Sequence, residues 1–127
     1  MAGRRVLVVD DTPGAAKITA KFLELLGHTV EIAYTGQAAI EQCQVFRPEI
    51  VMLDVTLPDI DGFEVARQMR LRDETKDALI VALTGHDEDS HRAYAQAAGI
   101  NEYLLKPVDV NSLRRLADHP KLLVTTA

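Results

Sequence analysis

Three apolar runs along the chain each end on an acid or a hydroxyl: Val6-Leu7-Val8-Val9 before Asp10-Asp11, Ile50-Val51-Met52-Leu53 before Asp54, and Leu79-Ile80-Val81-Ala82-Leu83 before Thr84. A fourth, Tyr103-Leu104-Leu105, ends on Lys106-Pro107. Unbroken apolar runs of this length, separated by stretches of helical period, predict strands of a parallel sheet buried on both faces. Thr29-Val30-Glu31-Ile32-Ala33 alternates apolar with polar instead, as a half-exposed strand does.

The intervening stretches carry helix start and stop chemistry. Thr12 caps a first helix, with Pro13 in its first turn where a missing N–H costs nothing; Ile18, Phe22, Leu25 and Leu26 form the apolar face, and Gly27 ends it. Thr35 caps a second helix carrying Ala39, Ile40, Cys43 and Phe46, stopped by Arg47-Pro48. The third runs from about Gly62 to Leu71, with Asp61 as its cap and Phe63, Ala66 and Met69 inward. A fourth, from about Asp87 to Ala98, has Ala93, Tyr94, Ala97 and Ala98 as its apolar residues and is expected to be loosely held; Gly99 terminates it. The last starts near Asp109 or Val110, uses Val110, Leu113 and Leu116, and stops at Asp118-His119-Pro120. Residues 1–119 are then one folded domain, and residues 120–127 a tail or the stub of a linker.

Strand followed by helix, five times over, predicts an α/β fold in which right-handed crossovers give an open, doubly wound parallel sheet with helices on both faces. Periodicity does not fix the strand order. The flavodoxin-like order 2-1-3-4-5 would set the ends of the first and third strands side by side, making neighbours of Asp10, Asp11 and Asp54. Ligands of such sheets bind at the carboxyl ends of the strands.

At 127 residues the chain is expected to be a single domain. A net charge of −5, with no basic cluster beyond Arg114-Arg115, argues against direct contact with nucleic acid. One cysteine, Cys43, excludes an internal disulfide and a cysteine-based zinc site, and its expected role is helix packing. No apolar stretch approaches bilayer-spanning length and no signal-peptide core follows Met1, so the expectation is a soluble cytoplasmic domain with no membrane partner.

Three carboxylates, a hydroxyl and an ammonium converging on one crevice suit a divalent cation and a phosphoryl group better than an apolar ligand. Like charges packed closely repel unless a cation neutralises them. Oxygen donors with no His or Cys among them select a hard ion, and Mg2+ typically takes a few carboxylates while keeping water and room for a phosphate oxygen. The plainer alternative makes Asp10 and Asp11 helix caps and Asp54 a strand end; that fits one acid better than three. A carboxylate can also attack phosphorus to give an aspartyl-phosphate, with the protein positioning groups and stabilising charge on the equatorial oxygens. On that reading Asp54 accepts the phosphoryl group, Mg2+ and Lys106 neutralise it, the Thr84 hydroxyl holds an oxygen, and Gly85 leaves the approach open. Lys106-Pro107 at a strand end is a candidate cis peptide bond.

Asp10-Asp11, Asp54, Thr84 and Lys106-Pro107 together resemble the signature of response-regulator receiver domains, over almost the whole chain from Arg5 to about Leu116. Leu57-Pro58-Asp59-Ile60-Asp61-Gly62, Ala98-Gly99, and Tyr103 three residues ahead of Lys106 resemble the family too. The resemblance implies that Asp11 and Asp54 ligate Mg2+ directly, Asp10 through a water, and Thr56 through its backbone carbonyl. It implies a sensor histidine kinase or histidine phosphotransfer protein as phosphodonor. It further implies a switch in which Thr84 moves toward the phosphate, Tyr103 turns inward, and the surface of the fourth helix, fifth strand and fifth helix changes for a downstream protein target. Thr56 and His86 border the phosphate and are expected to tune its lifetime. The chain would be a signalling switch rather than a turnover enzyme.

Rival readings are weaker. A haloacid-dehalogenase-type phosphatase wants a second Asp two residues after its nucleophile, where this chain has Thr56. A receiver fold kept only for phosphorylation-independent docking or dimerisation has no need of complete phosphorylation chemistry, although the short last helix and the Leu122-Leu123-Val124 tail leave a homodimer open. Asp59-Ile60-Asp61-Gly62 fails as a calcium loop, because that frame puts Leu57 at the first ligand position and Gln68 where a Glu is needed. His28, His86, His91 and His119 suggest no metal site.

Overall fold

The computed structural model describes residues 3–85 and 89–119, with the backbone alone for residues 89–92. The strands are β1 (Arg5–Val9), β2 (Thr29–Ala33), β3 (Ile50–Asp54), β4 (Leu79–Thr84) and β5 (Glu102–Leu105). The helices are α1 (Pro13–Leu25), α2 (Gly36–Phe46), α3 (Gly62–Arg70), α4 (Asp89–Ala97) and α5 (Val110–Leu116). All neighbouring strands pair in parallel, in the order β2-β1-β3-β4-β5. The expected doubly wound sheet and its strand order are both borne out.

Strand residues alternate between two cores, one on each face. Leu7, Val9, Val51, Leu53, Ile80 and Ala82 pack with residues of α2, α3 and α4. Val6, Val8, Ile50, Met52, Leu79, Val81 and Leu83 pack with residues of α1 and α5. Burial on both sides explains why these strands read as unbroken apolar runs. β2, at the sheet's edge, buries fully only Ala33 and keeps its alternation.

Two helices face inward differently from the sequence expectation. On α1 the buried residues are Ala16, Ala20 and Leu23, whereas Ile18 and Leu25 are 60% and 72% exposed; Phe22 and Leu26 are half-buried. The stripes 16-20-23 and 18-22-25 have the same helical spacing, and the sheet accepts the one whose small side chains allow close approach. Among the described side chains of α4, Ala95 is buried and Ala93, Tyr94 and Ala97 are exposed; Ala98, just past its end, is buried as expected. The Tyr94 ring instead lies tilted beside Phe63, with centroids 6.1 Å apart.

Capping follows expectation at α2 and α3, and α5 has a cap as well. Thr35 Oγ1 accepts from Ala38 N, Asp61 from Phe63 N and Asp109 from Ser112 N. At α1 it does not: Thr12 stands at the cap without a side-chain bond, and its own N–H donates to Asp10 Oδ1. Residues 120–127, expected to be a tail, lie outside the described residues.

The end of the sheet away from the strand carboxyl termini is fastened by Arg70, at the end of α3. Its guanidinium donates to Gly99 O from Nε and Nη2, to Ala78 O at 2.8 Å and to Asn101 Oδ1 at 2.7 Å. Asn101 Oδ1 also accepts from Ile80 N, so one guanidinium joins α3 to the entries of β4 and β5.

Candidate functional site

Because the strands are in parallel register, their last residues come level. Val9 lies opposite both Ala33 and Leu53, Asp54 opposite Leu83, and Thr84 opposite Leu105. The residues that follow form one rim. Asp10 is buried, its N–H donating to Ala33 O at 3.1 Å, and Asp11 beside it is exposed. Asp54, also buried, accepts at Oδ1 from Thr56 N at 2.9 Å and Thr56 Oγ1 at 2.8 Å. Carboxylate oxygens of Asp10, Asp11 and Asp54 all lie within 4.8 Å of one another, the one acid or histidine cluster of this kind among the described residues.

Above β3 the chain turns into α3 at Gly62, where a Cβ would come within 2.5 Å of Val55 Cα. Only glycine lets the helix start so close to the strand end. Gly62 N donates to Val55 O, and Val55 N to Leu83 O, so the segment after Asp54 is tied to β4 as well.

Lys106 reaches across the rim from the end of β5. Its Nζ donates to Asp54 Oδ2 at 2.8 Å and Asp10 Oδ2 at 3.1 Å, and its own N–H donates to Thr84 O at 2.7 Å. The Lys106–Pro107 bond is cis. Burial works against the ammonium charge, but the hydrogen bonds and charges of Asp54 and then Asp10 outweigh it and hold the Lys106 pKa above the ordinary lysine value. Thr84 is buried at the end of β4, and Gly85 is exposed, with open space where a Cβ would stand. Tyr103 is half-buried against the core on the α2–α3–α4 face. His86 lies outside the described residues.

Hard oxygen donors, a buried carboxylate at a strand end, a lysine bridging two acids and a buried hydroxyl are the groups needed to hold a cation and a phosphoryl group together. The family model of the response regulator receiver domain matches residues 6–118. The chain belongs to this family. The receiver domain is 38% identical over 109 residues to Response regulator MprA of Mycobacterium ulcerans, covering 86% of this chain and 46% of that protein. It thus spans about half the length of MprA. Protein PilH of Pseudomonas aeruginosa is 30% identical over 109 residues, covering 86% of this chain and 90% of PilH. Among solved structures, the receiver domain of a sensor histidine kinase from Pseudomonas aeruginosa, with a magnesium ion coordinated in its active-site cleft, superposes with a TM-score of 0.82. That match is 30% identical and covers 91% of this chain and 94% of the other. Membership places the receiver domain in two-component signalling. No helix of its described residues is long and apolar enough to cross a membrane.

The structure brings Asp10, Asp11, Asp54 and Lys106 together, and the Thr84 carbonyl accepts from the Lys106 N–H beside them. It also gives a role to a residue that the sequence reading quoted only as part of the Leu57–Gly62 motif. Asp59, in the loop after Asp54, accepts from Gly36 N at 2.8 Å and from Gln37 N at 3.0 Å. Nothing local points to these partners, because they lie 22 and 23 residues away.

Proposed function

We propose that Asp54 is the phosphoacceptor of a Mg2+-dependent receiver, loaded from the phosphohistidine of a sensor histidine kinase or a histidine phosphotransfer protein. The observation that carries this reading is Lys106 Nζ bridging Asp10 and Asp54 inside a cluster of three carboxylates whose oxygens lie within 4.8 Å. Asp11 and Asp54 would hold Mg2+ directly, Asp10 through water, and Thr56 through its carbonyl; the donor set is all oxygen, as that ion requires. Bound there, the ion offsets negative charge on the phosphoryl oxygens. The magnesium in the cleft of the Pseudomonas aeruginosa receiver supports the assignment.

In the transfer, an Asp54 carboxylate oxygen forms the new P–O bond as the P–N bond to the donor imidazole breaks and its electron pair returns to that nitrogen. Lys106 already donates to Asp54 Oδ2 and stays protonated, so its charge faces the incoming oxygens. The Thr84 hydroxyl takes another phosphoryl oxygen, and Tyr103, on the strand between Thr84 and the protein surface, passes the change outward. Thr56, whose side chain is exposed beside Asp54, and His86 set how readily water reaches the phosphate. Output then goes to a protein target through α4, β5 and α5, in the cytoplasm.

Intact mass after incubation with acetyl phosphate, with and without Mg2+, tests the assignment. A single-phosphate adduct that needs Mg2+ and is absent in Asp54→Asn is expected. An adduct persisting in Asp54→Asn refutes Asp54 as acceptor. Failure of the wild type to load from acetyl phosphate, phosphoramidate or a phosphohistidine protein favours a docking module instead.

A further inference from the structure

Building on the metal reading above, we propose that Asp59 is a positioning residue for the metal-binding loop: it clips the Asp54-to-Gly62 segment to the start of α2 and so holds the Thr56 carbonyl in place.

The first N–H groups of a helix need partners from outside the helix. In α2 they are divided cleanly. Thr35 Oγ1 takes Ala38 N and Thr35 O takes Ala39 N, while Gly36 N and Gln37 N donate to the two carboxylate oxygens of Asp59. The cap residue of α2 thus satisfies only part of its own helix, and a different loop supplies the rest. Gln37 N, then Gly36 N, hold the Asp59 carboxyl below its ordinary pKa, so it is the anion that the helix start binds.

The joint is also close-packed. A Cβ at Gly36 would stand 2.9 Å from Val65 Cγ2 and 3.1 Å from Ile60 Cβ. Absence of a side chain there lets α2 approach the loop closely enough for both bonds to form. Leu57 and Ile60 pack part-buried against the core, but Thr56, Pro58, Asp59 and Asp61 between and beside them are exposed, so the backbone around Thr56 is fixed by hydrogen bonds as well as by burial. Asp59 closes a ring around the acidic cluster: Asp10 N bonds Ala33 O at the end of β2, the chain runs through Thr35 to Gly36, Asp59 joins Gly36, and the loop returns through Thr56 to Asp54. Loss of the clip leaves the segment held by the bonds of Thr56 to Asp54 and the packing of Leu57 and Ile60, with nothing joining it to the start of α2 through Asp59.

Isothermal titration with MgCl2 reads the effect directly, with circular dichroism confirming that each variant is folded at the temperature used. Asp59→Ala is expected to weaken Mg2+ binding about tenfold, the loss typical of groups that orient metal ligands. Asp59→Asn keeps an accepting oxygen and should fall between the two. Gly36→Ala changes no charge but forces α2 from the loop, and should weaken Mg2+ binding as well. Combined with Asp59→Ala it should add little, since both lesions break one joint.

Equal losses in Asp59→Asn and Asp59→Ala with none in Gly36→Ala would reduce Asp59 to a distant charge and overturn the proposal. So would lower stability in Asp59→Ala at wild-type Mg2+ affinity, the mark of a helix cap and nothing more. A wild-type protein that binds no Mg2+ overturns the metal reading itself and this inference with it. Wild-type binding matched by every variant overturns the inference alone.

Discussion

His28 shows how a single side chain makes the fold sensitive to pH. Its Nδ1 accepts the Arg4 backbone N–H at 3.0 Å, which requires that nitrogen unprotonated. Burial, and next the Arg4 guanidinium, lower its pKa from the ordinary 6.5, with Glu49 opposing. As pH falls below 6.5 the unfolded chain takes up the proton before the folded one, so stability present at higher pH drains away through that window. The urea midpoint should therefore fall as pH is lowered through 6.5 and level off once the lowered folded-state pKa is passed. His28→Asn, which keeps an acceptor but cannot titrate, should flatten that fall; identical slopes would remove His28 as its cause. The same scale separates what was legible from what was not. Asp10, Asp54, Thr84 and Lys106 stood out because each ends an apolar run. Asp59 and Arg70 did not, because each acts on backbone groups brought near only by the fold.

Among the elements, α1 and α2 begin alike in sequence, each with a threonine at the cap, and differ in physics. Thr35 makes its capping bond and Thr12 does not. Thr35→Ala should cost about 1 kcal/mol, a usual value for a lost cap, whereas Thr12→Ala should stay within about 0.5 kcal/mol. Urea denaturation of the pair decides it, and equal losses would contradict the assignment. At α1 the Thr12 N–H donates to the Asp10 carboxylate, so the helix start is tied to the acidic rim through its backbone. Helix faces were misread for a related reason. Ile18 and Leu25 outweigh Ala16 and Ala20 in hydrophobicity, yet the sheet takes the alanines, because close approach of helix to sheet depends on side-chain size as well as apolarity.

The molecule as a whole is polarised along its strands, with the acidic rim at their carboxyl ends and the Arg70 staple at the other. Arg70→Met should lower stability by about 2 kcal/mol, the scale of hydrogen bonds to a charged group. Mg2+ affinity should change less than about twofold, since distant sites behave independently. A marked loss of Mg2+ binding in urea-validated, folded Arg70→Met would show that the two ends are coupled. The chain by itself determined the number of strands and helices and their alternation in sequence, the double burial of the central strands, and the strand-end residues, because periodicity and punctuation are local properties. Only the tertiary structure decided the order of the strands in the sheet, which stripe of α1 and α4 turns inward, and that Asp59 binds the start of α2. Those outcomes depend on separations between elements far apart in sequence, and they are settled by which atoms come within hydrogen-bond or packing distance once the sheet has closed.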